Sequence, residues 1–222
     1  MNLLDILFPK RCVGCGRIGT YFCEKCRGRI RYIAANEAIC PMCGHSAIDG
    51  ATHPGCRTRY GLDGLTSFFR YDGPIRKAVQ SVKYRLITDL VTEFVSLVPQ
   101  SSVVDTSAAD YFLPMPLHAS RLKSRGFNQA EVLGTAFAAR LHIPVALDIL
   151  RRVRATAPQV AMKTREDRLN NMKHVFQAAR TIQNDHILLF DDVFTTGATM
   201  RAAANALKRA GAKYIWAVTM AR

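Results

Sequence analysis

Beyond Cys56 the sequence has no cysteine, although seven cysteines lie at or before that point. A secreted chain would spread cysteines in pairs for disulfides, and an odd number crowded at one end suits pairing badly. Long apolar runs are also missing: none approaches the roughly 18 residues of a membrane span. The opening stretch MNLLDILFPKRC is no better as a secretory signal. Its apolar part is short, it contains Asp5, and no small-residue cleavage site follows. A short helix packed on the body is expected there instead, and the cytoplasm is the expected compartment. Acidic residues are the third scarcity: 17 Asp and Glu stand against 31 Lys and Arg, a formal net charge of +14. Such an imbalance suits a polyanionic partner, nucleic acid or a phosphate-rich ligand, but a surface that is simply basic stays open. It is sharpest from Arg151 to Arg180, where eight Lys and Arg meet only Glu166 and Asp167. Phe176 is the one aromatic residue of that stretch, so base stacking there has little support. The single tryptophan, Trp216, is expected in the core.

What is present begins with the cysteines themselves. They come as CVGC (Cys12, Cys15), CEKC (Cys23, Cys26) and CPMC (Cys40, Cys43), followed by HPGC with His53 and Cys56. The C-x2-C spacing lets two thiolates reach one tetrahedral ion from a tight turn. A redox C-x-x-C is the rival, but three such pairs in series favour metal. Taken in order, the first site is Cys12, Cys15, Cys23 and Cys26. The second is Cys40, Cys43, His53 and Cys56, with imidazole replacing one thiolate. A cross-braced arrangement of the same residues stays open, as does His45 in place of His53. Neither set leaves an obvious open position, so two structural Zn²⁺ ions are expected. Their binding would supply folding energy to a segment too short for a core of its own.

From about Leu62 the pattern changes to alternating strands and helices. Strands are predicted at Leu65–Tyr71, Tyr111–Leu117, His186–Val193 and Tyr214–Ala221. Helices are predicted from Gly73–Pro74 onward, over Leu86–Val98, over Asn128–Leu141, and from Gly197 to a stop at Gly211. The run HILLFDDV is apolar without alternation until its end, as a central parallel strand requires. The alternation predicts an α/β, Rossmann-like, doubly wound domain with a parallel sheet. The domain division expected is 1–60 for the cysteine module and 61–222 for the rest.

In that fold ligands bind beyond the carboxyl ends of the strands. ILLFDDVFTTGATM places Asp191 and Asp192 there, followed by Thr195, Thr196, Gly197, Ala198 and Thr199 at the start of a helix. A helix N-terminus presents N–H groups and a positive dipole end to a phosphate. Two carboxylates beside it can accept hydrogen bonds from a vicinal diol, so the pair suits a sugar phosphate such as ribose 5-phosphate. Metal-ligating aspartates followed by an ordinary helix cap are the alternative.

The whole stretch, D-D-V-x-T-T-G-A-T after a hydrophobic run, closely resembles the signature of type I phosphoribosyltransferases, which use 5-phosphoribosyl 1-diphosphate (PRPP). By that resemblance Asp191 and Asp192 are catalytic residues that hold the ribose hydroxyls, and Thr195 to Thr199 hold the 5-phosphate. PMPLHASRLKSRGFNQAE, RRVRATAPQVAMKTREDRLNNMKHVF and the cysteine module extend the likeness to the ComF family, over nearly the whole chain. The resemblance implies a double zinc ribbon joined to a phosphoribosyltransferase domain. It also implies Mg²⁺ arriving with PRPP, transfer of ribose 5-phosphate to an acceptor, and a role in natural transformation beside single-stranded DNA and other competence proteins. A non-catalytic module binding PRPP or single-stranded DNA is the other outcome. The family usually has cysteine where this chain has His53. His118, Arg121, Lys123 and Arg125 follow a strand where such an enzyme holds the diphosphate, or else form a basic helix start. Arg154, Gln159 and Arg168 belong to a stretch that could close as a hood over the ligand or stay a solvated basic face.

Overall fold

Each long apolar run of the second part of the chain becomes a parallel strand, because a strand covered on both faces must be apolar along its length. The computed structural model describes residues 9–84, 88–99, 108–155, 175–183 and 185–222. Its strands are β1 (Gly64–Phe69), β2 (Tyr111–Pro114), β3 (Leu150–Arg152), β4 (Phe176–Ala178), β5 (His186–Val193) and β6 (Tyr214–Ala221). Its α-helices are α1 (Glu24–Arg27), α2 (Gly73–Tyr84), α3 (Thr88–Ser96), α4 (Ala119–Arg125), α5 (Gln129–Leu141) and α6 (Ala198–Arg209). The predicted N-terminal helix lies outside the described residues.

β5 and β6 have the predicted bounds. The strand predicted to Leu117 stops at Pro114, since Pro114 and Pro116 have no N–H to donate to a ladder. The first strand starts one residue early and ends at Phe69, where the chain turns to pair with the cysteine module. Trp216 is half-buried rather than fully enclosed, and its indole N–H donates to Thr66 Oγ1 at 2.9 Å. It helps to line a cavity of 720 Å³ at the amino ends of the strands, away from the carboxylates.

The parallel sheet has the order β1-β6-β5-β2. Val145 adds a parallel bridge to Phe112 on the free edge of β2. The chain therefore leaves β2 outward through α5 and leaves β5 inward through α6 to β6. Right-handed crossovers in opposite directions put α5 and α6 on opposite faces of the sheet. The crevice between the carboxyl ends of β2 and β5 is the switch point where such folds hold ligands. Under it Phe112, Phe137 and Phe190 pack with ring centroids 5.3–6.2 Å apart. That fixes α5 against both strands.

The cysteine module closes the other edge. Ile33 N–H donates to the Phe68 carbonyl at 2.9 Å and Arg70 N–H to the Arg31 carbonyl at 2.9 Å, so residues 31–33 run antiparallel along β1. An edge strand is thereby covered. Glu93 on α3 accepts from Thr20 Oγ1 at 2.8 Å and from the amides of Tyr21 and Phe22 at 3.3 and 3.1 Å. Phe22 packs on Phe94 beside them, centroids 5.9 Å apart.

Candidate functional site

The structure gathers the cysteines into two clusters in sequential rather than cross-braced order. Cys12, Cys15, Cys23 and Cys26 form one, and Cys40, Cys43, His53 and Cys56 the other, with all ligand atoms of each within 4.8 Å of one another. Cys15 Sγ and Cys23 Sγ are 3.6 Å apart, against about 3.8 Å for two thiolates on one tetrahedral zinc. Cys43 Sγ lies 3.4 Å from His53 Nδ1. The other ring nitrogen, Nε2, donates to the Ser46 carbonyl at 2.9 Å. A second hydrogen bond of this kind fixes the tautomer and ring orientation of a metal-ligating histidine. His45 is exposed and outside the cluster.

The thiols behave as a set in need of a cation. Burial pushes Cys12 up, but backbone donors at Cys23, Cys15 and Gly14 outweigh it and bring the thiol down to about 6. Burial and the neighbouring sulfurs of Cys12, Cys23 and Cys15 push Cys26 up to about 12. Burial also raises Cys40, yet amides of Cys43, His53 and Met42 lower it to about 7, while Cys43 and burial raise Cys56 to about 11. Clustered sulfurs share negative charge poorly alone, and a bound dication removes that conflict. Gly14 is required by contact: a Cβ there would fall 2.5 Å from Cys26 Sγ. The two clusters can hold two zinc ions.

In the crevice, β5 carries Asp191 and Asp192 just before its last residue, Val193, and both are half-buried. Burial first, then the charge of Asp192, raises the Asp191 carboxyl well above the usual carboxylate range, and Arg152 opposes the shift. The chain then turns through Thr195 and Thr196 into α6. Gly197 is the N-cap, with φ 71° and no side chain of its own to cap the helix, and Ala198 N–H donates to Thr196 Oγ1 at 3.5 Å. Those groups, the Thr196 and Thr199 hydroxyls and the helix dipole make a cradle for an anion.

The cations predicted near this site divide into two groups. His118 is the N-cap of α4, its Nδ1 accepting from Ser120 N–H at 3.2 Å. Arg121 and Arg125 lie four residues apart, on one face of that helix. Arg125 Nη1 donates to Gln129 Oε1 at 2.7 Å, and Gln129 Nε2 donates in turn to Asp192. Lys123 is exposed and sits between the two arginines, on another face. Arg154 is exposed, and Gln159 and Arg168 lie outside the described residues.

Three site residues carry no local sequence signal strong enough to single them out. Gln129 stands next to Asn128 in R-G-F-N-Q, and only geometry separates their roles. Asn128 Oδ1 caps α5 at Ala130 N–H, 3.1 Å, while Gln129 reaches the carboxylate. Arg152 on β3 lies over the Phe176 ring at 5.5 Å. Burial and Arg121 lower its pKa, and Asp191 acts against them. Arg201 on α6 reaches back to residues 41 and 42, and no sequence pattern reports a contact that distant.

Comparison with known proteins agrees with this architecture. Residues 3–57 match the double zinc ribbon domain, and residues 128–222 match the phosphoribosyl transferase domain. The DNA utilization protein YhgH of Salmonella typhimurium is 29% identical over 201 residues, covering 86% of this chain and 85% of its own. Competence protein ComFC of Bacillus subtilis is 27% identical, covering 85% and 78%. Competence protein F of Haemophilus influenzae is 26% identical, covering 90% and 96%. Among solved structures, the glutamine PRPP amidotransferase of B. subtilis aligns with 66% of this chain and 26% of its own, at TM-score 0.37 and 16% identity. The chain thus matches a double zinc ribbon followed by a phosphoribosyl transferase domain, and is similar along most of its length to proteins named YhgH, ComFC and competence protein F.

Proposed function

We propose that the protein binds PRPP in the crevice between β2 and β5 and transfers its ribose 5-phosphate to an acceptor, in a process of DNA uptake. The zinc ribbon would occupy residues 1–60 and the transferase domain 61–222, in the cytoplasm. Most support comes from one observation: two adjacent carboxylates lie near the end of an inner strand, beside a helix N-terminus capped by a left-handed glycine. Asp191 and Asp192 accept hydrogen bonds from the ribose hydroxyls. The loop from Thr195 to Thr199 holds the 5-phosphate through N–H and hydroxyl groups. Arg121 and Arg125 face the diphosphate, with His118 and Lys123 at the same helix, and Arg154, Gln159 and Arg168 on the segment that closes over it. Mg²⁺ accompanies the ligand and, when bound, neutralises the leaving diphosphate. The C1–O bond breaks with its electron pair leaving on the diphosphate, and a nucleophile on the acceptor bonds to C1.

Isothermal titration of the zinc-loaded chain with PRPP and Mg²⁺ tests this directly. Saturable binding that is lost in an Asp191→Asn, Asp192→Asn double variant is expected. No binding by the folded wild type would overturn the proposal. The charge of +14 supports a second reading, a module that binds single-stranded DNA without transfer. Its affinity would then fall steeply and linearly on a logarithmic salt scale. DNA affinity that salt leaves unchanged would count against it.

A further inference from the structure

The second thiol cluster and the anion loop lie far apart in sequence and are joined through one side chain. Arg201 leaves the first turn of α6, where its N–H donates to the Gly197 carbonyl at 2.9 Å. Its guanidinium then spans two elements. Nη1 donates to the Pro41 carbonyl at 2.9 Å and to the Met42 carbonyl at 3.4 Å, and Nη2 donates to the Thr196 carbonyl at 2.6 Å. Pro41 and Met42 are the two residues between Cys40 and Cys43. Thr196 is the second residue of the anion loop, next to Gly197.

We propose that Arg201 couples occupancy of the second cluster by a divalent cation to the shape of the anion loop, and so to ligand affinity. The inference rests on the PRPP reading of that loop. Its physical basis is the rigidity of the guanidinium fork. A planar group that bonds two partners holds them at a fixed separation, which a flexible ammonium does not. Bonds from a charged donor are also stronger than neutral ones. The loop needs such support. Gly197 is left-handed, and the Phe194 ring closes so near that a Cβ would fall 2.5 Å from it. Glycine takes that conformation without strain and as readily leaves it, so the loop's shape is set by its partners rather than by its own backbone.

The other end of the link is set by the cluster. Cys40 is fully buried. Its N–H donates to the His45 carbonyl at 2.9 Å, and its carbonyl accepts from Gly44 N–H at 2.9 Å. Cys43 meets His53 within the cluster. A cation shared by Cys40, Cys43, His53 and Cys56 therefore fixes the Pro41–Met42 carbonyls that Arg201 grips. Without it the turn loses its anchor, and Thr196 loses a fixed partner. Arg201 bonds the turn of the second cluster, and no residue of the first cluster is among its partners named above. Only the second cluster should report to the loop.

The test uses the zinc-loaded full chain with two readouts: amide hydrogen exchange over residues 194–200, and calorimetric affinity for PRPP with Mg²⁺. Cys43→Ala, which breaks the second cluster, should speed exchange in the loop and weaken binding by roughly tenfold, a common size of coupling between sites. Cys15→Ala, which breaks the first, should leave loop exchange unchanged. Arg201→Ala should reproduce the loss while still holding two zinc ions per chain, so misfolding of the cluster does not confuse the result. In the Arg201→Ala background, Cys43→Ala should add nothing. Arg201→Lys should not restore the loop, because charge without the fork cannot hold two carbonyls. Unchanged loop exchange in Arg201→Ala, additive losses in the double variant, or full rescue by lysine would each overturn the coupling. Failure of the wild type to bind PRPP would overturn the ligand assignment, and the exchange comparison would still decide the coupling.

Discussion

Replacing Gly197 with alanine tests the anion loop at its tightest point. The residue has φ 71° and caps α6. An alanine in that left-handed region costs about 1–2 kcal/mol. Its Cβ would also fall 2.5 and 2.8 Å from two ring carbons of Phe194, whose side chain is buried. Overpacking of this kind adds about 1–3 kcal/mol. The sum centres near 3.5 kcal/mol, from those two ranges. Should the loop keep its shape, the cost appears in stability, as a fall in Tm of about 7–14 °C for a chain of this length. Should the loop give way, it appears in PRPP affinity, as a loss of roughly 300-fold. Gly126→Ala is the matched control. Gly126 is also left-handed, at φ 81°, but nothing lies within 4 Å of its would-be Cβ. Only the strain of about 1–2 kcal/mol should remain there, with no loss of affinity beyond it. Scanning calorimetry and PRPP titration of the three zinc-loaded proteins supply both numbers. If Gly197→Ala and Gly126→Ala match in both, the ring contact has no energetic weight. If neither differs from wild type, neither position is held in the left-handed conformation that a Cβ would penalise.

The raised carboxyl of Asp191 gives opposite pH trends for folding and binding. The folded chain holds that proton more tightly than the unfolded chain, so the stabilisation is full below the ordinary carboxylate range and is lost as pH rises through the raised pKa. Asp191→Asn should flatten that part of a Tm-against-pH profile, and PRPP affinity of the wild type should rise with pH over the same window. A flat profile in the wild type would refute the assignment. Ser67 Oγ and Thr219 Oγ1 are buried 2.7 Å apart, so Thr219→Val should cost about 1–3 kcal/mol by urea unfolding. Adding Ser67→Ala should recover part of it, and strictly additive losses would show that the pair does not interact. Glu93→Ala removes the acceptor for Thr20, Tyr21 and Phe22. Hydrogen exchange of the Tyr21 and Phe22 amides should accelerate while β5 and β6 stay protected, and unchanged exchange would refute the docking role of Glu93. A strong zinc chelator should release two ions per chain and lower Tm, and one ion or none would refute the two-cluster arrangement.

The sheet was legible where burial on both faces forces a continuous apolar run. His186–Val193 and Tyr214–Ala221 have their predicted bounds for that reason. The place of Asp191 and Asp192 near the carboxyl end of β5 was legible because the apolar run stops there. The pair β3 and β4 was not, since strands of three residues leave no periodicity. Helix α4 was anticipated only as a rival to a diphosphate loop, because a basic stretch after a strand reads alike in both. Trp216 was expected inside, but Gly64 beside it and Thr66 under its N–H leave one side of the ring on a cavity.

Chain order alone supplied the candidate donors. Four pairs at x2 spacing point to two metal sites, and D-D near the end of an apolar strand before T-T-G-A-T sets two carboxylates beside a helix N-terminus. Ligand spacing and side-chain chemistry are local quantities, so the sequence contains them in full. Tertiary structure decided which pairs meet and what the sites lie against. It joined the clusters in sequential order, chose His53 over His45 through the Ser46 carbonyl, and set Gln129 against Asp192. It also brought the Cys40–Cys43 turn to Arg201, across 160 positions of sequence. Such contacts depend on how a metal-folded module closes the edge of β1 and reaches α6, a result of packing that no spacing of residues encodes.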